Sequence, residues 1–212
     1  MTRRITFYYD LISPFAHVAL KRLSELPADV EIEPAPVLLG ALLAHWGQRG
    51  PAEIAPKRLH TYRLATHLAA SHGIAMRFPP RHPFNPLSAL RILAGADADI
   101  AMVGRAFDFV FGRGGAVDTP EGLAAFVEAV GAPVSLATDE AAKARLRTLT
   151  EEAIARCVFG VPTFAVPAAG GHELFWGVDS MDMLKDWLTD GELFGKEPYA
   201  HLEQVEIGVV RK

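Results

Sequence analysis

The sequence predicts an α/β protein in which a large all-helical insertion divides a sheet domain into two pieces. Two strand-like segments joined by a helical segment come first, and helical patterns fill the chain from about residue 40 to residue 158. A β-hairpin pattern and a short helix then follow. With 212 residues, half of them hydrophobic, the chain is long enough for one compact domain or for a domain with a large insertion.

The opening segment predicts a β-α-β unit. "RITFYYDL" is rich in β-branched and aromatic residues, which is typical of a buried strand. Ser13 and Pro14 end it, because serine is a favoured N-cap and proline fits the first helical position. Hydrophobic residues then recur at helical spacing as far as Pro27, and "VEIEPAPVLLG" predicts a second strand. Since the helix connects the two strands, they should be parallel.

The sheet is predicted to resume after the helical block. "VPTFAV", the turn "PAAGG" and "HELFW" indicate a β-hairpin, and a helix should run from about Asp179 to Leu188. This order of elements is that of a thioredoxin-like fold with a helical insertion. We therefore assign residues 1–39 and 159–190 to a discontinuous thioredoxin-like domain and residues 40–158 to the insertion. Residues 191–212 form a C-terminal tail, either extended or an edge strand.

Composition excludes several function classes. The net charge is −4 and no long basic run occurs, so we expect no nucleic-acid partner. No apolar run reaches the roughly 18 residues of a membrane span, and the N-terminus begins a strand instead of a signal peptide. We therefore expect a cytoplasmic protein without membrane contact. The single cysteine, Cys157, excludes an internal disulfide and a Cys-x-x-Cys couple, so thiol chemistry would need a thiol from outside.

Metal and nucleophile patterns are weak. His60, His67 and His72 lie along one predicted helix, but their spacing and neighbours do not suit a metal site, and we predict none. "FGRGG" lacks the Gly-Lys-Ser/Thr sequel of a phosphate loop. No G-x-S-x-G elbow surrounds Ser13, so acyl transfer is not indicated.

Four stretches, in this order, carry a family resemblance: "YYDLISPFAHVAL", "RFPPRHPFNPLSALR", "RCVFGVPTFAV" and "FWGVDSMDML". Together they resemble 2-hydroxychromene-2-carboxylate isomerases and kappa-class glutathione transferases, from about Ile5 to Leu188. The resemblance implies a thioredoxin-like domain with a helical insertion, a homodimer, and glutathione as cofactor.

Ser13 has two interpretations. Any Ser-Pro before an apolar helix can be an ordinary cap. A helix N-terminus also favours an anion, which is why cysteines placed there have lowered pKa values. With the resemblance, Ser13 is predicted to donate a hydrogen bond to the thiolate of bound glutathione and not to act as a nucleophile.

The resemblance also implies where the tripeptide binds. Pro162 matches the cis-proline that faces the active helix, although an ordinary trans proline at a strand start would explain it as well. A cis Val161-Pro162 bond would let the Val161 backbone pair with the cysteinyl unit of glutathione. Asp179 would hold the γ-glutamyl ammonium and the N–H groups around Ser180 its carboxylate, although both residues also suit a helix cap.

Three further residues are cofactor-binding candidates through the resemblance. Lys57 matches the lysine that reaches the tripeptide, and Asn85 an asparagine near the site. A solvated helix charge and a helix cap are the alternative interpretations. Gln48 stands where the family commonly has asparagine. It is one of four departures, with Leu64 in place of aspartate, Ser180 in place of arginine and Cys157 in place of glycine. We expect Cys157 to be a buried small residue.

The predicted function is a glutathione-dependent cis-trans isomerase of a small aromatic enone acid. Phe15, Phe84 and Trp176 are candidates for its acceptor pocket, with core packing as the alternative role. A kappa-like transferase or peroxidase would use the same cofactor but consume it. A non-catalytic thioredoxin-like binding protein is the third alternative, whereas a disulfide oxidoreductase would need the cysteine pair that the chain lacks.

Overall fold

The computed structural model describes residues 2–209, and its centre is a four-stranded sheet in the order β2-β1-β3-β4. The strands are β1 (Arg3–Tyr9), β2 (Val30–Pro36), β3 (Thr163–Ala168) and β4 (Gly171–Trp176). β1 and β2 are parallel, whereas β3 runs antiparallel to both β1 and β4. The predicted α/β class, the parallel opening pair and the closing hairpin are confirmed.

Eight α-helices occur between residues 2 and 209. They are α1 (Pro14–Lys21), α2 (Leu39–His45), α3 (Ala55–Ser71), α4 (Leu87–Gly95), α5 (Ile100–Phe107), α6 (Pro120–Val130), α7 (Glu140–Ala155) and α8 (Met181–Thr189). The helices α2 to α7 separate the two halves of the sheet. α1 ends earlier than its apolar spacing predicts, because Arg22 N–H bonds the Ala19 carbonyl and a 3-10 turn, Leu23–Glu25, follows.

β1 is buried on both faces, which explains its continuous run of large side chains. Phe7 and Tyr9 point into a large core that also contains residues of α1, α5 and α8. Tyr8 points the other way, into a second core with Leu149 and Ala153 of α7. The first core continues without a break from the sheet into the insertion, since the Tyr9 ring lies 5.7 Å from the ring of Phe107 on α5. The residue boundaries of the two domains stay a prediction.

The tail forms two short 3-10 turns, Leu193–Gly195 and Leu202–Gln204, and no strand up to residue 209. The edge-strand alternative is therefore wrong for residues 191–209, and residues 210–212 lie outside the described part. None of the helices between residues 2 and 209 is long and apolar enough to cross a membrane.

Candidate functional site

The first feature of the site is the N-terminus of α1. Ser13 caps it: the Ser13 Oγ accepts a hydrogen bond from the Ala16 N–H at 3.2 Å, and Pro14 occupies the first helical position. Ser13 is almost fully buried, at 5% exposure. The predicted cap is confirmed. The N–H groups of the first turn and the helix dipole make this end attractive to an anion.

A hydrogen bond between distant segments joins Ser13 to the loop before β3. The Ser13 hydroxyl donates to the Val161 carbonyl at 3.4 Å, and the Val161-Pro162 peptide bond is cis. A hydrogen bond of this length is weak, so the hydroxyl can exchange this acceptor for a stronger one. Among residues 2–209, no hydrogen bond uses the Val161 N–H. Ser13 thus contacts a residue distant in sequence whose backbone N–H has no partner among residues 2–209.

Asp10 organises the turn between β1 and Ser13. Its carboxyl oxygens accept hydrogen bonds from the Ile12 N–H at 3.0 Å and the Leu39 N–H at 2.9 Å. The residue is 1% exposed, and this burial raises the pKa of the carboxyl to about 7, although both hydrogen bonds act in the opposite direction. Asp10 therefore ties the turn to the start of α2.

His82 holds the same turn from the other side, and the sequence analysis missed it. Its Nε2 lies 2.7 Å from the Ile12 carbonyl, and its Nδ1 lies 2.9 Å from the Tyr62 hydroxyl. The Tyr62 hydroxyl lies 2.6 Å from the backbone carbonyl of His82 itself. The loop "PPRHPFNP" has no periodicity, so only the position of His82 between two prolines could have drawn attention to it.

The second half of the predicted site is linked to Pro162 through β4. The Gly177 N–H donates to the Pro162 carbonyl at 2.8 Å, and the Ser180 hydroxyl donates to the Gly177 carbonyl at 2.9 Å. Ser180 is buried and Asp179 exposed. Neither side chain caps α8, since Ser180 has helical backbone angles and its hydroxyl is turned back to Gly177. Ser180 occupies the predicted N-cap position of α8, but no side-chain hydrogen bond caps that helix.

Three candidates make no hydrogen bond or ion pair with this group among residues 2–209. Gln48 follows α2 and Lys57 lies in the first turn of α3, and both side chains are exposed. Within residues 2–209, neither side chain has a hydrogen bond or ion pair with Ser13 or Val161. The exposed Asn85 accepts a hydrogen bond from the Leu87 N–H at 3.0 Å and lines a cleft beside the start of α6. Its capping interpretation is supported, and its cofactor role stays a prediction.

Exposed aromatic side chains border the Val161 loop. The Trp46 indole N–H donates to the Val158 carbonyl at 3.0 Å, and the rings of Phe159 and Trp176 meet edge to face at 5.2 Å. These three residues, which we call the aromatic ledge, are 40%, 37% and 52% exposed. Contiguous exposed apolar surface can mark a binding site, and Phe159 and Trp176 form such a contiguous pair.

The other two acceptor-pocket candidates are less accessible than Trp176. Phe84 is only 8% exposed and belongs to the core, whereas Phe15 is half-buried and packs against it.

Cys157 is exposed, so the expectation of a buried residue is wrong. It follows the last turn of α7 with φ of 61°, and the Val158 N–H bonds the Ala153 carbonyl while the Cys157 N–H bonds that of Ile154. This is a Schellman ending, in which the left-handed position usually carries glycine. The geometry explains why glycine is common here in the family that the sequence resembles, and why the side chain points outward.

Metal binding has no support among the described residues. Between residues 2 and 209, no group of three His, Cys, Asp or Glu side chains could hold a metal ion.

Residues 4–189 match the family described as "DSBA-like thioredoxin domain". The fold agrees with this match, because a capped helix faces a cis-proline and a helical insertion divides the sheet. The chain belongs to this family. This DsbA-like protein is also 33% identical over 192 residues to a 2-hydroxychromene-2-carboxylate isomerase of Pseudomonas putida. The aligned region covers 85% of this chain and 92% of that protein. A protein of the same name from Sphingobium xenophagum is 28% identical over 199 residues, with 90% and 100% of the two chains covered.

A solved structure supports the same relationship. The structure of a 2-hydroxychromene-2-carboxylate isomerase aligns with a TM-score of 0.74 and 27% identity over 96% of this chain and all of that chain. The DsbA-like chain differs from a dithiol oxidoreductase in one decisive respect: its one cysteine, Cys157, lies at the end of α7 and not at the N-terminus of α1. The expected likeness to kappa-class glutathione transferases stays a prediction.

Proposed function

We propose that this protein is a glutathione-dependent cis-trans isomerase acting on a small aromatic enone acid. The observation that carries the proposal is the Ser13 hydroxyl at the N-terminus of α1, in contact with Val161, whose N–H has no partner among residues 2–209, in a chain with no cysteine at that end. Such a site stabilises a thiolate but supplies none. The names of the curated relatives support the isomerase class.

The residues around Ser13 fit a tripeptide thiol. The Val161 N–H has no hydrogen-bond partner among residues 2–209 and the Val161 carbonyl accepts only the weak bond from Ser13, so both groups could pair with an extended peptide. The exposed carboxylate of Asp179 has no ion-pair partner among residues 2–209, so it can hold the γ-glutamyl ammonium. The backbone around Ser180 would take the carboxylate of the same unit, and Gln48, Lys57 and Asn85 stay candidates for further contacts with the tripeptide.

Each group has a separate role. Bound glutathione would supply a thiolate whose reversible conjugate addition lets the carbon–carbon double bond of a cis enone acid rotate. The Ser13 hydroxyl would donate a hydrogen bond to the sulfur and keep its proton, which requires it to give up its hydrogen bond to the Val161 carbonyl. The N-terminus of α1 lowers the pKa of the thiol, and a more acidic thiol is also the better leaving group. The aromatic ledge offers exposed rings for an aromatic substrate.

Calorimetric titration with reduced glutathione tests the proposal, with Ser13→Ala as the variant and the exposed Ser24→Ala as the matched control. We expect saturable binding to the wild type and a loss of thiolate affinity of roughly tenfold or more in Ser13→Ala. This is because a hydrogen bond to a charged group contributes about 1.5–3 kcal/mol. The Ser24→Ala variant should bind like the wild type.

Turnover is then measured on cis benzylidenepyruvates, with the total thiol concentration followed in the same samples. Isomerisation with unchanged thiol supports the proposal, whereas consumption of thiol indicates a transferase. Absence of binding at several millimolar glutathione would mean that the fold has been retained without this cofactor, and the proposal would have to be withdrawn.

A further inference from the structure

The residue before Ser13 is fixed at both of its backbone polar groups. The Ile12 N–H donates to Asp10 Oδ1, and the Ile12 carbonyl accepts from His82 Nε2 at 2.7 Å. That carbonyl belongs to the peptide bond that joins Ile12 to Ser13. His82 therefore acts on the N-terminus of α1 across a single peptide group.

His82 and Tyr62 make three contacts that each require one proton. They are His82 Nε2 to the Ile12 carbonyl, His82 Nδ1 to the Tyr62 oxygen, and the Tyr62 hydroxyl to the His82 carbonyl. The two carbonyls can only accept, so Nε2 must carry a proton and the Tyr62 proton must point to the His82 carbonyl. The remaining contact then needs a proton on Nδ1. A neutral ring and one hydroxyl supply two protons, and only the imidazolium form supplies three.

The surroundings oppose this charge. Burial lowers the pKa of His82, the hydrogen bond to Ile12 raises it, and Arg58 on α3 lowers it again. Burial also raises the pKa of Tyr62, which keeps its hydroxyl protonated. The remaining walls are the rings of Phe78, Phe84 and Phe111.

Other charged groups near the His82 loop include Arg81, Asp118 and Asp10. Arg81, the neighbour of His82 in sequence, is paired with Asp118 at 3.3 Å. The Asp10 carboxyl lies on the far side of Ile12, where it bonds the Ile12 N–H. The pKa of His82 is thus set by opposing effects of the fold: burial and Arg58 lower it, whereas the hydrogen bond to Ile12 raises it.

We propose that His82 and Tyr62 are a pair of positioning residues for Ser13. The imidazolium form of His82 completes all three hydrogen bonds of the pair, places a positive charge against the Ile12 carbonyl and strengthens anion binding at the N-terminus of α1. The catalytic consequence rests on the proposed function, because the anion is there the glutathione thiolate. By linkage, an anion bound at Ser13 must favour protonation of His82 to the same extent as the imidazolium favours the anion.

The first test needs no ligand. Nitrogen NMR of the histidine rings, followed across pH, gives the pKa of His82 in the wild type, in Tyr62→Phe and in the control Tyr199→Phe. We expect Tyr62→Phe to lower the pKa of His82, because Nδ1–H of the imidazolium loses its acceptor, and we expect Tyr199→Phe to leave it unchanged. An unchanged or higher pKa in Tyr62→Phe would overturn the proposal.

The second test asks whether His82 acts on Ser13. The backbone amide signal of Ser13 should titrate with the pKa of His82 in the wild type and lose that transition in His82→Gln, whose amide can still donate to Ile12. The exposed His67→Gln is the matched control and should keep the transition. A Ser13 amide signal that does not change as His82 titrates would contradict the positioning role. If His82→Gln does not fold, Tyr62→Phe replaces it. In that variant the transition of the Ser13 amide signal should move to lower pH together with the pKa of His82.

The third test adds glutathione. The ultraviolet absorbance of the bound thiolate, followed across pH, should show a rise in the thiol pKa of about 0.5 in His82→Gln, the size expected for one charge at a helix terminus. Equal thiol pKa values in wild type and variant would exclude the catalytic part of the proposal. If wild-type protein binds no glutathione, the proposed function fails, and the first two tests still decide the role of the His82 and Tyr62 pair.

Discussion

Single side chains determine the geometry around Ser13, and Asp10 is the clearest case. Its buried carboxyl holds two backbone N–H groups, one on the turn before Ser13 and one at the start of α2. Because burial raises the pKa of this carboxyl to about 7, it takes up a proton in the folded protein at a pH where the unfolded chain is still ionised. Folding and the charge of this group are therefore linked.

The linkage predicts a pH dependence of stability. Between roughly pH 4 and pH 7 the folded state binds more protons at Asp10 than the unfolded state, so the contribution of Asp10 to stability falls as pH rises, by at most about 1.4 kcal/mol per pH unit. Asp10→Asn should remove this slope. It should also cost about 1–3 kcal/mol near pH 4, because one buried N–H then faces an amide nitrogen. Denaturant unfolding of both proteins across pH measures the difference, and parallel curves would refute the linkage.

At the scale of elements, close helix contacts depend on particular small residues. Gly95 ends α4, and a Cβ added to it would lie 2.6 Å from the Cβ of Ala142 on α7. Gly104, inside α5, has open space at the same position. One glycine therefore sets the α4–α7 contact, whereas the other only weakens its own helix.

These two glycines predict opposite effects of the same substitution. Gly95→Ala should destabilise the protein by about 1–3 kcal/mol, because overpacking forces α4 and α7 apart. Gly104→Ala should stabilise it by about 0.5–1 kcal/mol, because alanine is the better helix former. Urea unfolding at neutral pH measures both. Equal changes in the free energy of unfolding would show that α4 and α7 can move apart without loss of stability.

For the whole molecule, the predicted assembly is a homodimer, and it stays a prediction. The end of the tail exposes hydrophobic side chains at Leu202, Val205, Ile207 and Val209, between 54% and 87% accessible. The hydrogen bonds of the short turn at Leu202 stay within the tail. Such residues have no packing role inside one described subunit, which suits contact with a second copy.

Removal of residues 201–212 should therefore weaken a dimer without unfolding the subunit. We expect the dimer dissociation constant to rise at least about tenfold, because burial of one aliphatic side chain contributes about 1.5–3 kcal/mol. The free energy of unfolding of the monomer should change by less than about 0.5 kcal/mol. Sedimentation velocity over a dilution series and denaturant unfolding measure the two quantities. A full-length monomer would disprove the homodimer, and equal affinities would exclude the tail from its interface.

The sequence predicts a feature of the site well when the interacting residues are close in sequence, and poorly when they are far apart in sequence. The cap at Ser13 follows from two adjacent residues, since serine and proline each have a local reason to stand at a helix start. The hairpin from Thr163 to Trp176 follows from strand patterns that flank a glycine turn. His82, in contrast, has no local signal, because its partners Ile12 and Tyr62 are 70 and 20 residues away.

The sequence by itself determined the α/β class, the order of the elements and the capped helix that presents Ser13, because these features arise from short-range periodicity, capping and turn chemistry. The tertiary structure alone decided that Val161 faces Ser13, that Asp10 and His82 fix Ile12 from both sides, and that Cys157 is exposed in a left-handed turn. Burial and hydrogen bonding between distant segments exist only after the chain has packed, so no local pattern encodes them.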